Sequence, residues 1–502
     1  MERKALRPGR EEQRRLLAAF LAAAASAFAA HGFLFANEFF SHDAVSFFSY
    51  AEWGMAFYAG AGRFLIPLLE ALKGGCAAPW LTGLLFVAWM ALAARLTAAL
   101  LDIRSLGGVA MVSALFCTNH AMTLTGATYV YCLDEYAFSL CMAAGAAWLF
   151  RRGGWRRNVL GGCLLVLSLG VYQAYFTTAA SLCLLSVLHE LSGGEGFQPA
   201  LKRGLRYLGL LAAGFGAYYG LWTGVCALLG IAKRRTEEAG VLASLPGSLW
   251  SANRRYGQFL FPARTTLGWL LWAVHGLLLA LLAVRLARLL LDRTLPAGGR
   301  ALLAALVCLM PTAFFSAFVL VPGGAHSLMT FSGELLYLLP LPAIEPEGRR
   351  RFRPALRRLA AALLCLVLWQ HIVFANQAYM KKELEKNSTL VLAAQVIGRI
   401  ESLEGYVPGE TPVAFAGRLD ENAYLDRPNA AFAEVSGWTG LFHHRSATYN
   451  LGRYLTDYLN YPLLWDQETD FAAKEAVQAM PVFPAPGSAA MVEGTAVVKL
   501  SD

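Results

Sequence analysis

The sequence predicts a mainly α-helical, polytopic membrane protein: a bundle of about eleven spans with a small C-terminal α/β domain outside the membrane. Three observations predict it. Apolar residues make up 57% of the 502-residue chain and charged residues 15%, with a mean hydropathy of +0.46. That balance is more apolar than a soluble domain carries. Several runs reach the ~20 apolar residues that cross a bilayer. The basic residues fall in short clusters between these runs, the distribution that orients membrane spans, so a net charge of +9 argues for topology and against nucleic acid.

Each element follows from that alternation. Arg3, Lys4, Arg7, Arg10, Arg14 and Arg15 precede the first span, 16–36, and place the N-terminus in the cytoplasm. The span is long and lacks a small-residue cleavage site, so it reads as a retained anchor. An outer segment, 37–75, follows. Span 80–101 returns to Asp102 and Arg104, 106–125 goes out, and 133–150 returns to Arg151, Arg152, Arg156 and Arg157. The block 159–191 has basic clusters at both ends, so it must be two helices turning at Tyr172-Gln173-Ala174-Tyr175. Spans at 205–231, 267–291, 302–321, 328–344 and 359–375 complete the bundle, with a polar outer loop at 233–264. Lys233, Arg234 and Arg235 are basic residues on the outer side of this map and run against the rule.

The membrane domain is thus 1–375. Residues 376–502 gain Asp, Glu, Asn and Pro, with strand-like pieces at 411–416 and 495–500, and read as an extracytoplasmic α/β domain. The nine cysteines lie within or beside apolar runs without CxxC spacing, so neither a disulfide framework nor a zinc site is predicted from them.

Candidate chemistry collects at the outer ends. Asp43 stands just beyond the first span, where an acid is costly unless solvated or used. A carboxylate there can deprotonate a hydroxyl, and Arg63 can grip a phosphate through its fork. The competing reading is a polar loop anchored by Phe39, Phe40, Phe47, Phe48, Tyr50 and Trp53 at headgroup depth. Asp134 and Glu135 open the fourth span. They read either as acids favoured by the positive end of the helix dipole or as groups facing a cavity, and with Asp43 they are oxygen donors for a divalent cation, Mg or Mn. Tyr172 and Gln173 at the hairpin turn read as interhelical glue or substrate contacts. Arg254 in the outer loop meets a phosphate or the headgroups. His326 is a ligand or a loop histidine, and His443-His444 a solvated pair. No Walker loop, GxSxG or HExxH occurs, so nucleotide hydrolysis and the familiar hydrolase chemistries have no machinery.

The order of these residues resembles a known family. Ser41-His42-Asp43 through Ala51-Glu52-Trp53-Gly54, then Gly62-Arg63-Phe64-Leu65-Ile66-Pro67, and the tail Met480-Pro481-Val482-Phe483-Pro484 with Gly487-Ser488 and Val497-Val498-Lys499-Leu500 are similar to bacterial membrane glucosyltransferases of Gtr type II. The resemblance implies a fold of the glycosyltransferase C superfamily, a polyprenyl-phosphate sugar donor and a cell-surface glycan acceptor on the outer face of the bacterial membrane. It also implies an essential acid at Asp43, a second acid at Asp134 or Glu135, and the arginine at Arg63. The rival reading from the residues is a multi-span transporter or lipid-linked glycan flippase, which would carry polar groups at mid-span and inverted repeats; the polar residues here cluster at outer loops.

Overall fold

The computed structural model describes residues 8–41, 45, 54–75, 78–234, 241–261, 268–320, 325–348, 351–422 and 447–502. Asp43, His42, Arg235, His443 and His444 lie outside them.

Helix α1 (Pro8–Ala36) is alanine-rich and buries Ala19, Ala23, Ala27, Ala30 and Leu34 on one face. Their spacing of three and four residues draws a single stripe, and small side chains let helix backbones approach closely where lipid supplies no hydrophobic drive. That stripe packs on α4 (Pro79–Leu100) and α5 (Leu106–Thr118). Leu17, Leu21 and Phe28 on the remaining surface are exposed, as lipid-facing residues are. His31, fully buried in α1, is bonded through both ring nitrogens: 2.7 Å to the carbonyl oxygen of Cys117 and 2.7 Å to the Tyr379 hydroxyl. The carbonyl can only accept, so Nε2 carries the proton and Nδ1 accepts from Tyr379.

Two short helices, α2 (Gly54–Gly60) and α3 (Ile66–Leu72), precede α4. After α5, the Asn119 side chain accepts from Ala121 N at 2.8 Å and starts α6 (His120–Thr128). Then follow α7 (Leu133–Arg152), α8 (Trp155–Val171), a 3-10 turn at Gln173–Tyr175, and α9 (Phe176–Ser192). The hairpin turn thus falls on Tyr172–Tyr175. Beyond it come α10 (Phe197–Leu229), α11 (Val241–Leu260), α12 (Gly268–Leu291), α13 (Ala297–Phe314), α14 (Ala317–Leu320), α15 (Leu341–Ile344) and α16 (Pro354–Glu401).

Loops expected on one side of the membrane meet at one end of the bundle. Arg151 donates to Asp102 at 2.7 Å and to Glu190 at 3.1 Å, and His189 lies 3.1 Å from Asp102. Arg203 pairs with Glu190 and Glu195. Glu345 accepts from the backbone N–H groups of Arg104 and Ser105 at 3.0 and 2.9 Å. Near the same end, Arg95 reaches Glu12 of α1 at 2.5 Å.

The span map needs revision in detail. Among the described residues, seven helices are long and apolar enough to cross a membrane by length and composition alone, and α7 and α8 run between the same two ends of the bundle. The third predicted span breaks at Asn119. The tenth is a chain of 3-10 turns, Ser327–Met329 and Phe331–Leu338, followed by α15, with Phe331–Leu338 wholly buried among the other helices. Pro340 and Pro342 deny it a continuous helix. The outer loop 233–264 contains α11, whose Ala252, Tyr256 and Leu260 are buried while Trp250 is exposed. The two out-of-pattern cations described there lie against aromatic rings: Lys233 Nζ is 4.1 Å from the Tyr219 centroid and Arg234 Cζ 4.4 Å from that of Phe57.

Helix α16 runs through position 375 without a break. A four-stranded sheet begins at β1 (Pro412–Ala416) and adds β2 (Leu464–Trp465), β3 (Ala489–Val492) and β4 (Thr495–Lys499) in the order β2-β1-β4-β3. β1 is parallel to β4, and β3 and β4 form a hairpin closed at Glu493-Gly494, both at positive φ, as two-residue hairpin turns require. Two further short helices, α17 (Ala447–Arg453) and α18 (Glu475–Gln478), flank the sheet.

Candidate active site at the N-terminal ends of α7 and α9

The turn between α2 and α3 is built around Gly62 at φ +78°. A β-carbon there would collide with the Tyr218 hydroxyl and the Gln173 amide, so only glycine permits the approach. Gln173 Nε2 donates to the Ala61 carbonyl and to Tyr218 Oη, each at 2.8 Å. Tyr218 donates to the Gly62 carbonyl at 3.0 Å, and Trp222 Nε1 to Ala59 at 2.7 Å. The hairpin turn and α10 thereby lock the segment that presents Arg63.

Arg63 is held by aromatic groups. Its Nη1 donates to Tyr136 Oη at 3.3 Å, and its Cζ lies 5.0 Å from the Tyr172 centroid. Tyr136 and Tyr172 stack at 4.3 Å with their planes 7° apart. Arg63 Nε is buried with no hydrogen-bond partner among the described residues. A guanidinium that is fixed by rings and retains a free donor suits an anionic oxygen.

Beside it, Asp134 and Glu135 at the start of α7 both turn to Lys73 of the outer segment. Lys73 Nζ lies 2.8 Å from Asp134 Oδ1, 2.5 Å from Glu135 Oε1 and 3.3 Å from the Tyr131 carbonyl oxygen. All three charged side chains are buried. Burial works against the Lys73 ammonium, but the Glu135 and Asp134 carboxylates outweigh it and hold its pKa above the ordinary lysine value. Tyr58 donates to Glu70 at 3.0 Å. Burial pushes the Glu70 carboxyl up to about 7, against that hydrogen bond and the charge of Lys73.

Arg63, Asp134, Glu135, Tyr172 and Gln173 therefore come together at the bundle end opposite the Arg151 network. Arg254 is exposed on α11, and His326 is half-buried before the Ser327–Met329 turn, on elements separate from this group. Lys73 already occupies the position a cation would take between Asp134 and Glu135. Sequence reasoning passed over Lys73, Glu70 and Tyr58, whose only signal was charge within an aromatic segment. It also passed over a second polar group: His120, Glu334 and His371, whose donor atoms lie within 4.8 Å of one another.

Helical bundle and membrane-length helices, with a buried arginine–tyrosine group at one end, define a polytopic membrane protein. The chain belongs to the glucosyl transferase GtrII family, whose model matches residues 32–338. That span covers the outer segment, the hairpin and the Phe331–Leu338 turn. Neither the curated proteins nor the solved structures offer a match. The family supports glucosyl transfer in a membrane environment, with a sugar donor and an acceptor as substrates.

Proposed function

We propose that the protein moves a hexose, glucose by its family, from a polyprenyl-phosphate donor to a cell-surface glycan on the outer face of the bacterial membrane. The N-terminus is cytoplasmic and the sheet extracytoplasmic on this reading, which the basic residues at the Arg151 end support. The observation that carries it is Arg63: a guanidinium lying over the Tyr172 ring and donating to the Tyr136 hydroxyl, with a spare buried donor, at the end of the bundle away from that basic network.

The reaction is one displacement at the anomeric carbon. Asp43 takes the proton of the acceptor hydroxyl as its oxygen bonds to that carbon. The bond from the anomeric carbon to the phosphate oxygen breaks, and the lipid phosphate leaves with the electron pair, steadied by Arg63. A single displacement inverts the configuration. Lys73 holds Asp134 and Glu135 in place, so these acids order the site beside the phosphate grip.

The test is Asp43→Asn, assayed with polyprenyl-phosphate sugars and release of free lipid phosphate. Transfer is expected to vanish with membrane insertion unchanged. Normal turnover in the variant removes Asp43 from the reaction, and silence of the parent protein with every donor removes the donor class.

A further inference from the structure

We infer that His120, Glu334 and His371 form a binding site for a divalent transition cation of the zinc class. The three residues come from α6, the Phe331–Leu338 turn and α16, which meet inside the bundle. His120 Nδ1 lies 2.8 Å from Glu334 Oε1, which also accepts the His120 backbone N–H at 2.9 Å. His371 Nδ1 lies 3.6 Å from Glu334 Oε2 and 3.5 Å from Thr118 Oγ1. The two imidazoles meet edge to face, their centroids 4.5 Å apart.

A tetrahedral ion with bonds of ~2.0–2.2 Å sets its donor atoms ~3.4 Å apart. The two imidazole–carboxylate spacings bracket that value and the donor atoms as a set lie within 4.8 Å of one another, so coordination needs the three side chains to draw together without a backbone rearrangement. An independent observation points the same way. Glu334 is 95% buried by its 5% exposure, yet its Oε2 accepts no hydrogen bond among the described residues. A buried carboxylate with an unsatisfied oxygen is costly, and a bound cation removes the cost.

The donor set selects the ion. Two imidazoles and one carboxylate suit zinc, manganese or cobalt, whereas magnesium prefers oxygen and keeps its waters. Three protein ligands leave at least one position for an outside oxygen, and His120, the most exposed of the three, gives it access. The site is joined to the Arg63 group by rings: Phe331, beside it, meets Tyr175, which meets Tyr172. Binding would therefore clamp α6, the Phe331–Leu338 turn and α16 to one another, and the turn is the one of the three that these rings connect to the arginine–tyrosine site.

The experiment uses the full chain in lipid nanodiscs, stripped with a chelator and then equilibrated with Zn(II), Co(II) or Mg(II). Metal content, visible Co(II) d–d bands and melting temperature are read. The expected result is about one Zn(II) per chain and a higher melting temperature, with no such effect of Mg(II). His120→Ala and Glu334→Gln should each weaken binding at least ~tenfold, while His120→Ala melts with the stripped parent protein. If either variant fails to fold, the parent protein's stoichiometry and Co(II) bands decide. Negligible Zn(II) in the parent, equal stabilisation by Mg(II), or unchanged binding in folded variants overturns the proposal.

Discussion

Replacing Lys73 by Met should cost about 3–5 kcal/mol, the penalty for removing one partner from a buried ion pair. Lys73, Asp134 and Glu135 have side chains 6%, 5% and 1% exposed, so without the ammonium two adjacent carboxylates would share a dry pocket. Each would have to take up a proton or draw in water. The same geometry fixes the pH dependence. The Lys73 pKa is raised in the folded state, so its contribution is full below the unfolded lysine value of ~10.4 and is lost as pH climbs beyond it. Thermal unfolding of the purified protein, followed by tryptophan fluorescence, measures both effects. Lys73→Met should lower the melting temperature sharply at pH 7 and flatten its decline at alkaline pH. Adding Glu135→Gln to Lys73→Met should restore part of the loss, because it removes one orphaned charge. A Lys73→Met protein within ~0.5 kcal/mol of the parent, the range of an ordinary surface substitution, would refute the buried triad.

Three other outcomes follow from the same site. Arg63→Lys keeps the charge but loses the planar fork over Tyr172, so transfer activity should fall at least ~tenfold with folding intact; steady-state kinetics on the purified variant check it. Gly62→Ala forces a β-carbon against Tyr218 and Gln173 at a positive φ, and should lower stability by ~1–3 kcal/mol in a melting assay. Glu70, raised from 4.5 to about 7, holds its proton when folded at pH values where the unfolded chain has released it. Its contribution to stability therefore falls as pH rises across that window. Glu70→Gln should flatten the melting-temperature profile there.

The architecture was readable where composition alone determines it. A block of apolar residues bounded by basic clusters at both ends cannot be one helix, and the break duly falls at Tyr172–Tyr175. Strand-like pieces near 411 and 495 became the parallel pair β1 and β4. Elsewhere hydropathy misled. The stretch 328–344 is apolar because it is buried among helices, not because it faces lipid, and its two prolines were the signal against a span. Asp134, Glu135 and Arg63 announced themselves as charges at the ends of apolar runs. Their partners did not: Lys73 lies 61 residues from Asp134, and His120 lies 214 from Glu334. Contacts at such separations leave no spacing in the sequence, so only the folded chain reveals them.

The length of α16 has a mechanical consequence. At 1.5 Å per residue its 48 residues extend ~70 Å, more than twice the ~30 Å hydrocarbon layer. Near its far end Arg399 bonds the Pro484 carbonyl oxygen, and Phe40, just past α1, packs its ring on Tyr454. The terminal sheet is thus mounted on a stiff mast and braced at the rim rather than tethered by a flexible leash. Its height and bearing relative to the bundle are set by counting helical turns.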